Sequence, residues 1–244
     1  MSQTYLRPQW PAPPHVHALT TLRHLGESQS PFDTNNLSYA VGDDPVAVDA
    51  NRAKLKTDLQ LQHEPFWLNQ THSNECVLFQ KNTLISADAA ISRNADQPLV
   101  IMTADCLPIL ITNKEGSEVA AIHAGWRGLL AGIIENTLTK LYSPTDQLLA
   151  WIGPGICHNC FEVGGEVCEQ FQKRYTFSPE CFLPYESKWK GNLPCLAEKI
   201  LKHLGVLAVY QANLCTFEQK RLFYSYRRSG QTGRMATLIW FSPS

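Results

Sequence analysis

Three residues with metal-binding or nucleophilic side chains stand at the ends of short apolar runs in the 244-residue sequence: His72, Cys106 and His123. Polar groups at strand ends are where α/β sheets place their ligands. Zn²⁺ accepts two imidazoles and one thiolate, and three protein ligands leave a tetrahedral position open for water. One interpretation of these residues is therefore a catalytic zinc site.

The same atoms also fit chemistry without a metal. Cys106 could be a nucleophile with His123 as its general base, as in cysteine hydrolases. Asp105 would then orient the base or close the turn, and turn closure is the more common role for an aspartate there. A structural alternative is two hydrogen-bonded histidines and a packed thiol. No short ligand pair such as H-x-x-x-H is present, so the spacing alone does not decide.

A second group of residues has the chemistry to bind an anion or a planar base. Trp126 and Arg127 lead into a predicted helix, whose free N–H groups favour an anion. Arg127 would add a charge-assisted hydrogen bond and Trp126 a stacking surface. Arg227 offers another guanidinium group near the C-terminus. A core tryptophan and solvated arginines are the alternative.

The eight cysteines include one C-x-x-C pair, Cys157 and Cys160. Without a second pair this spacing is a poor zinc site, so we expect turn and packing roles, with a redox dithiol as the alternative. The remaining cysteines outside Cys106 are expected to be reduced core or surface residues, because we expect a reducing compartment: Cys76, Cys168, Cys181, Cys195 and Cys215.

The elements that position these residues alternate between strand-like and helix-like patterns. Helices are predicted from Asp44 to Leu61, from Gly128 to Tyr142 and from Asn192 to Leu204, on caps and apolar periodicity. The strand candidates are Val16–Leu22, Phe66–Gln70, Glu75–Phe79, Leu99–Thr103, Pro108–Ile111, Val119–His123, Leu148–Ile152, Val206–Tyr210, Phe223–Tyr226 and Ala236–Trp240.

Several of these strands are apolar on both faces, which is typical of central strands covered by helices. Three strands follow one another between residues 99 and 123 with only short turns, so strict βαβ alternation is broken. We therefore predict an α+β fold, a three-layer α/β/α sandwich with a mixed β-sheet, as a single domain over residues 1–244.

Composition limits the classes of partner. Hydrophobic residues make up 44% of the chain, which supplies a core, and 21 Lys plus Arg balance 22 Asp plus Glu. A nucleic-acid partner usually requires a basic excess, so none is expected. No apolar run reaches the roughly 18 residues that span a bilayer, and the first residues lack a signal-peptide pattern. We expect a cytoplasmic protein without a membrane partner.

The motifs together resemble the YfiH family, also called laccase-domain or multicopper polyphenol oxidase-like. They are Gln70-Thr71-His72, Ala104-Asp105-Cys106-Leu107-Pro108, His123-Ala124-Gly125-Trp126-Arg127-Gly128, Tyr224-Ser225-Tyr226-Arg227-Arg228 and Thr232-Gly233-Arg234. The resemblance covers nearly the whole chain and implies one zinc ion on His72, Cys106 and His123, in a three-layer fold. Leu25 and Ser38 replace glycines of the family pattern, and we expect them to redirect the backbone.

The resemblance implies several activities: copper-dependent polyphenol oxidation, purine nucleoside phosphorolysis with adenosine deamination, and amide hydrolysis that edits peptidoglycan precursors such as UDP-MurNAc-L-Ser. A four-copper oxidase needs many paired histidines, and the eight histidines here include one His-x-His, His15 and His17, away from the motifs. Copper is therefore disfavoured.

We predict a zinc-dependent purine nucleoside phosphorylase acting on adenosine, inosine and methylthioadenosine, with adenosine deaminase activity. A non-enzymatic binding module is the alternative of a different class. Nucleoside and phosphate are the expected partners. The residues expected to bind the substrate are Asn36, Arg52, Trp126, Arg127 and Arg227.

Overall fold

A computed structural model describes residues 4–81 and 84–243 of the chain. Its helices are α1 (Pro45–Asp58), α2 (Trp126–Ala131), α3 (Ile133–Leu138), α4 (Gly165–Arg174), α5 (Leu193–His203) and α6 (Tyr226–Ser229). Its strands are β1 (Tyr5–Leu6), β2 (Val16–Thr21), β3 (Leu68–Asn69), β4 (Cys76–Leu78), β5 (Ile85–Ser86), β6 (Ala89–Ser92), β7 (Leu99–Thr103), β8 (Leu107–Asn113), β9 (Val119–Ala124), β10 (Leu148–Ile152), β11 (Glu162–Val163), β12 (Phe182–Tyr185), β13 (Lys188–Gly191), β14 (Ala208–Gln211) and β15 (Met235–Phe241).

Two large sheets organise these strands. The first has the order β14-β10-β8-β9-β6-β4 and is mixed, because its two outer pairs are parallel and its inner pairs antiparallel. The second has the order β1-β2-β15-β7 and is antiparallel throughout. Two small sheets, β11-β13-β12 and β3-β5, lie outside them. The predicted combination of helices with a mixed sheet is confirmed.

The two large sheets stack face to face, and helices cover their outer faces. Ile101 of β7 shares a buried cluster with Leu110 of β8, which places apolar side chains between the sheets. On the outer side of the antiparallel sheet, Leu238 packs with Leu55 of α1. Ile133 of α3 belongs to the cluster that covers the mixed sheet. The β layer between the helices is therefore two sheets thick.

The predicted helix starts at Asp44 and Asn192 are confirmed, because the side chain of each residue caps its helix. The Asp44 carboxylate accepts from the Val46 N–H at 3.0 Å, and the Asn192 side chain accepts from the Cys195 N–H at 3.0 Å. The first helix ends at Asp58, three residues before the predicted end. Within the described ranges, no helix combines the length and apolar character that crossing a membrane requires.

Two predicted elements are different in the structure. The predicted helix from 128 to 142 is interrupted at Gly132, which adopts φ 91° and separates α2 from α3. The predicted strand Phe223–Tyr226 is wrong, because the Ser225 hydroxyl accepts from the Arg228 N–H at 3.2 Å and starts α6 there.

The expectation that Cys181 and Cys195 are unpaired is also wrong. A disulfide joins them. Cys195 lies in the first turn of α5, where the Asn192 cap fixes its backbone, and the helix start faces the end of the 3-10 turn that contains Cys181. Cys76, Cys106, Cys157, Cys160, Cys168 and Cys215 are free.

Candidate metal and substrate site

His72, Cys106 and His123 converge at one end of the mixed sheet. One ligand atom from each residue lies within 4.8 Å of the other two, and Cys106 Sγ is 3.8 Å from His72 Nε2. Strand register explains the convergence of the last two, because the β8–β9 pairing sets Leu107 opposite Ala124. Cys106, one residue before β8, therefore lies beside His123 near the end of β9.

The Asp88 carboxylate accepts hydrogen bonds from both His72 and His123, and no sequence motif indicated a role for Asp88. The register of β6 and β9 pairs Ala89 with Ile122, so Asp88 and His123 are the next residues along the two strands. The Asp88 carboxylate accepts from His123 Nδ1 at 2.7 Å, and from the backbone N–H groups of His72 at 3.0 Å and Ser73 at 2.6 Å. His72 has φ 60°, and this carboxylate fixes the unusual turn.

The Asp88 contact determines which nitrogen His123 offers to a ligand. Burial alone would raise the pKa of Asp88, but hydrogen bonds from His123 and Ser73 outweigh it and hold the pKa below its ordinary value. The ionised carboxylate only accepts, so Nδ1 of His123 carries the hydrogen. Nε2 therefore faces Cys106, the arrangement in which a carboxylate orients a metal-binding histidine.

Cys106 is held in the form that binds metals. Burial alone would raise the pKa of its thiol, but the neighbouring His123 and His72 lower the pKa to about 6. Burial alone would lower the pKa of His123, and Cys106 with Asp88 instead raise it to about 9. The thiolate is the nucleophile and the metal ligand, and at neutral pH it therefore prevails over the thiol.

Gly125 leaves space that the cluster requires. A Cβ atom at this position would lie 2.8 Å from Cys106 Sγ and 3.3 Å from His72 Cδ2. Both distances are shorter than ordinary contacts, so a side chain here would displace the thiol. The glycine of the motif around Trp126 thus serves the ligand cluster.

The donor set fits zinc. Two imidazoles and one thiolate within a sphere of this size match the borderline-soft preference of Zn²⁺, and three protein ligands are typical of a catalytic site. His123 has the carboxylate partner that such ligands usually have. Cys106 and both histidines also line a cavity of about 610 Å³, so an ion held there would face substrate.

Three of the five residues predicted to bind the substrate line the same cavity: Trp126, Arg127 and Arg227. Arg127 stacks on the Trp126 ring at 4.4 Å, and Arg227 lies over the Phe161 ring at 5.3 Å. Arg234, which was not among the predicted substrate residues, also lines the cavity, because the β7–β15 register sets it beside Ala104. Its place in the Thr232–Arg234 motif was the available signal.

Asn36 and Arg52 lie outside the lining of this cavity. Asn36 is fully buried, donates to Asp43 at 2.8 Å and accepts from the Arg234 N–H at 2.9 Å. Arg52 donates to the Leu37 carbonyl at 2.9 and 2.8 Å and stacks on Trp67 at 3.7 Å. Both side chains hold backbone segments that border the cavity.

The two positions that depart from the family pattern have defined places. Leu25 adopts φ 70°, the left-handed region that glycine favours. Ser38 lines the cavity, and its hydroxyl accepts from the Ala40 N–H at 3.2 Å. Ser38 therefore shapes one wall of the site.

Asp105 closes the turn that carries Cys106. Its carboxylate accepts from Thr216 Oγ1 at 2.7 Å, Ser225 Oγ at 3.0 Å and the Arg227 N–H at 2.7 Å. Asp105 itself has φ 96°. Because three donors occupy the carboxylate, Asp105 fixes the turn and does not orient His123, a role that Asp88 fills.

Taken together, the fold and the site define a mixed α/β protein with a His₂Cys cluster at the base of an arginine-lined cavity. Residues 17–242 match the family described as multi-copper polyphenol oxidoreductase laccase. The chain belongs to this family, which includes the proteins named YfiH.

Named relatives and solved structures resemble the chain over almost its full length. A Pseudomonas aeruginosa PAO1 protein named purine nucleoside phosphorylase is 44% identical over 238 residues, which is 97% of this chain and 98% of the relative. Purine nucleoside phosphorylase YfiH of Escherichia coli K12 is 40% identical over 235 residues, 96% and 97% of the two chains. The crystal structure of Neisseria meningitidis protein NMB0706 matches with a TM-score of 0.95 at 38% identity, covering 99% of this chain and 100% of that one. YlmD from Geobacillus stearothermophilus matches at 0.94 and 26% identity, covering 100% and 98%.

Proposed function

We propose that the chain is a zinc-dependent purine nucleoside phosphorylase that also deaminates adenosine. One observation carries the proposal: the His72, Cys106 and His123 cluster lies in a cavity that three arginines also line. The names of relatives at 40–44% identity support the phosphorylase part of the proposal.

The arginines favour an anionic substrate. Arg127, Arg227 and Arg234 have no carboxylate ion-pair partner in residues 4–81 and 84–243, and Arg127 and Arg227 are exposed at the cavity. Guanidinium groups bind phosphate through paired charge-assisted hydrogen bonds. Phosphate is therefore the anion we assign to this side of the cavity, and Trp126 offers a flat surface for the purine.

The protein residues would hold zinc and position the reactants around it. His72, Cys106 and His123 bind the ion, and Asp88 keeps Nδ1 of His123 protonated so that Nε2 faces the cluster. When bound, zinc supplies a Lewis acid that polarises oxygen atoms and activates water at neutral pH. Arg127 and Arg227 neutralise the charge of phosphate as it approaches the sugar, and bringing the two reactants together removes much of the entropic barrier.

The two reactions differ in the bond that is broken. In phosphorolysis, a phosphate oxygen bonds to the anomeric carbon of ribose, the glycosidic bond breaks, and the purine leaves with a proton. In deamination, water adds at the purine carbon that carries the amino group, and ammonia leaves. Both products can be separated by chromatography, so one assay measures both activities.

The arrangement of ligands disfavours a four-copper oxidase. Two groups of potential metal ligands occur in the part of the chain that the structure describes, and only the His72 group contains histidine. A blue copper centre together with a trinuclear centre would need many more imidazoles. Substrate hydrolysis with Cys106 as the nucleophile would use the same atoms. It is distinguished from the zinc-dependent reactions by its independence of metal.

The test is incubation of the purified protein with adenosine, with and without phosphate. We expect adenine and ribose 1-phosphate only when phosphate is present, and inosine under both conditions. His72→Ala and Cys106→Ser should reduce both activities by more than about 100-fold. His63→Ala, at an exposed histidine outside the cavity, is the matched control and should retain activity.

Three results would contradict the proposal. Full activity of His72→Ala would exclude a role of the cluster in either reaction. Absence of purine products together with release of L-serine from UDP-MurNAc-L-Ser would assign the site to amide hydrolysis. Activity that survives complete zinc removal but is lost in Cys106→Ser would assign it to cysteine catalysis.

A further inference from the structure

We propose that Cys157, Cys160, Cys215 and Glu218 bind a second zinc ion, in a structural site separate from the His72 cluster. One ligand atom from each of the four residues lies within 4.8 Å of the other three. Cys215 is buried, Cys157 and Cys160 are half-buried, and Glu218 is exposed. Four protein ligands including three thiolates are typical of a closed, structural zinc site.

Cys215 and Glu218 form a second ligand pair, which the sequence analysis did not find beside Cys157 and Cys160. Cys157 and Cys160 are separated by two residues, and so are Cys215 and Glu218. Structural zinc sites commonly combine two such pairs from distant segments. Because glutamate takes the place of the fourth cysteine, the second pair does not match a cysteine-only pattern.

The backbone brings the two pairs together. Gly155 and Cys215 form a parallel bridge, and the Thr216 N–H donates to the Gly155 carbonyl at 3.0 Å. The Cys157 N–H points at Cys215 Sγ at 3.3 Å, and Cys160 Sγ lies 3.7 Å from Glu218 Oε1. The Cys157–Cys160 pair is held in a turn, because the Cys160 N–H donates to the Cys157 carbonyl at 3.1 Å.

The sulfur chemistry favours a metal over a disulfide. Cys181 and Cys195 are bonded to each other, whereas these three cysteines are free although their sulfurs converge. A disulfide would pair two of the thiols and leave the third next to a carboxylate without a partner. A zinc ion uses all four groups at once.

The charge around the cluster also favours a cation. Cys157, Cys215 and Glu218 line a cavity of about 410 Å³, which Glu198 borders as well. No lysine or arginine is among the described residues that line this cavity. Arg228, which donates to the Thr216 and Phe217 carbonyls, is a cation that interacts with Cys215. Three thiolates and a carboxylate so close together would repel one another, and a divalent ion bound by all four removes that repulsion.

The second site would brace the substrate cavity. The 157–160 segment lies between Ile156 and Phe161, which both line the cavity of the His72 cluster. On the other segment, Thr216 donates to Asp105 at 2.7 Å and so supports the turn that carries Cys106. The second ion would therefore stabilise the walls of the first site without contacting substrate.

The test is metal content per chain in full-length protein purified without a histidine tag or chelator, measured by inductively coupled plasma mass spectrometry. We expect two zinc ions in the unmodified protein and one in each of Cys157→Ser, Glu218→Gln and His72→Ala. Cys168→Ser, at a buried cysteine outside both clusters, should keep two. Combining Cys157→Ser with His72→Ala should remove both ions.

Stability gives an independent readout. Cys157→Ser should lower Tm by about 5 °C or more, and added Zn²⁺ should raise Tm of the Cys168→Ser control but not restore Cys157→Ser. Circular dichroism should be used to check that each variant is folded. Glu218→Gln, at an exposed position, keeps the test informative if Cys157→Ser does not fold.

The outcomes separate this site from the catalytic one. One zinc in both the unmodified protein and Cys157→Ser would overturn the second site and leave the first intact. A Cys157–Cys160 disulfide, or iron or copper in place of zinc at these residues, would also overturn it. Two ions in the unmodified protein with no purine activity would support the second site while the proposed function fails.

Discussion

Replacement of Asp88 by asparagine is the sharpest test of how the His72 cluster is held. Oδ1 of Asp88 accepts from His123 Nδ1 at 2.7 Å and the His72 N–H at 3.0 Å, and Oδ2 accepts from the Ser73 N–H at 2.6 Å and the Ser73 hydroxyl at 2.7 Å. An asparagine keeps one acceptor oxygen and places an NH₂ group at the other position. At least two of the groups that donate to Asp88 would then face the NH₂ group of the asparagine, which is also a donor.

The magnitude follows from those contacts. A hydrogen bond to a charged group contributes about 1.5–3 kcal/mol, so losing two at a fully buried carboxylate should lower the free energy of unfolding by roughly 3 kcal/mol or more. Loss of a carboxylate that orients a metal-binding histidine typically weakens metal binding about 10- to 100-fold, which is about 1.4–2.7 kcal/mol. We expect both effects in Asp88→Asn.

Two measurements check this expectation. Urea unfolding of the zinc-free protein gives the change in stability, and competition with a chromophoric chelator gives the change in zinc affinity. Asp146→Asn, at an exposed aspartate, should change neither. Zinc affinity of Asp88→Asn equal to that of the unmodified protein would refute the role of Asp88 in orienting His123.

Three further perturbations have defined outcomes. Gly125→Ala should weaken zinc binding by about tenfold or more in the chelator assay, because its Cβ would lie 2.8 Å from the thiol sulfur of the cluster. Arg127→Ala should raise KM for phosphate by about tenfold and KM for adenosine much less, because it removes a cation from the phosphate side. Glu118→Gln should lower the free energy of unfolding at pH 7 by about 2 kcal/mol in urea titrations, because the 4% exposed carboxylate binds Arg93 and two backbone N–H groups.

The Glu118 prediction also has a pH dependence whose sign is fixed. Burial raises the pKa of Glu118, but hydrogen bonds from Ser143 and Tyr142 and the charge of Arg93 outweigh it and lower the pKa below its ordinary value. Its stabilisation is thus complete above the unfolded pKa of about 4.3 and is lost as pH falls through the folded pKa. The difference between Glu118→Gln and the unmodified protein should shrink in acid, and a difference constant down to pH 3 would contradict this reasoning.

Matched controls exist for the other two variants. Gly165→Ala should leave zinc binding unchanged, because the nearest side-chain atom to its added Cβ is 3.7 Å away. Arg221→Ala removes an exposed arginine outside the cavity and should not change KM for phosphate. Equal effects in Arg127→Ala and Arg221→Ala would indicate general surface charge and exclude a phosphate contact.

The sequence could single out His72, Cys106 and His123 as candidates because each stands near the end of a strand, and strand ends are visible as the limits of apolar runs. It could not predict Asp88, whose role depends on the pairing of β6 with β9 and on no local pattern. The same limit applies to the sheets. β15 pairs with β2 and β7, which are far from it in sequence, and an apolar run does not show which of two sheets it joins.

The substrate residues show a different limit. Asn36 and Arg52 have the chemistry to bind an anion or a ribose, and the structure places both against backbone groups. Arg234 lies among the same motifs and lines the cavity. Residue type does not distinguish an arginine that binds a carbonyl from one that faces a ligand. Only the tertiary arrangement makes that distinction.

The site requires nearly the whole chain, and Asp105 shows why. The turn that carries Cys106 is held by Thr216, Ser225 and Arg227, which lie more than a hundred positions later in the sequence. Removing the C-terminal segments would leave the ligand loop without its donors and the cavity without Arg234. The residues that hold the Cys106 thiolate in place are thus spread along most of the sequence. This spread is consistent with a relative whose similarity extends over 97% of this chain.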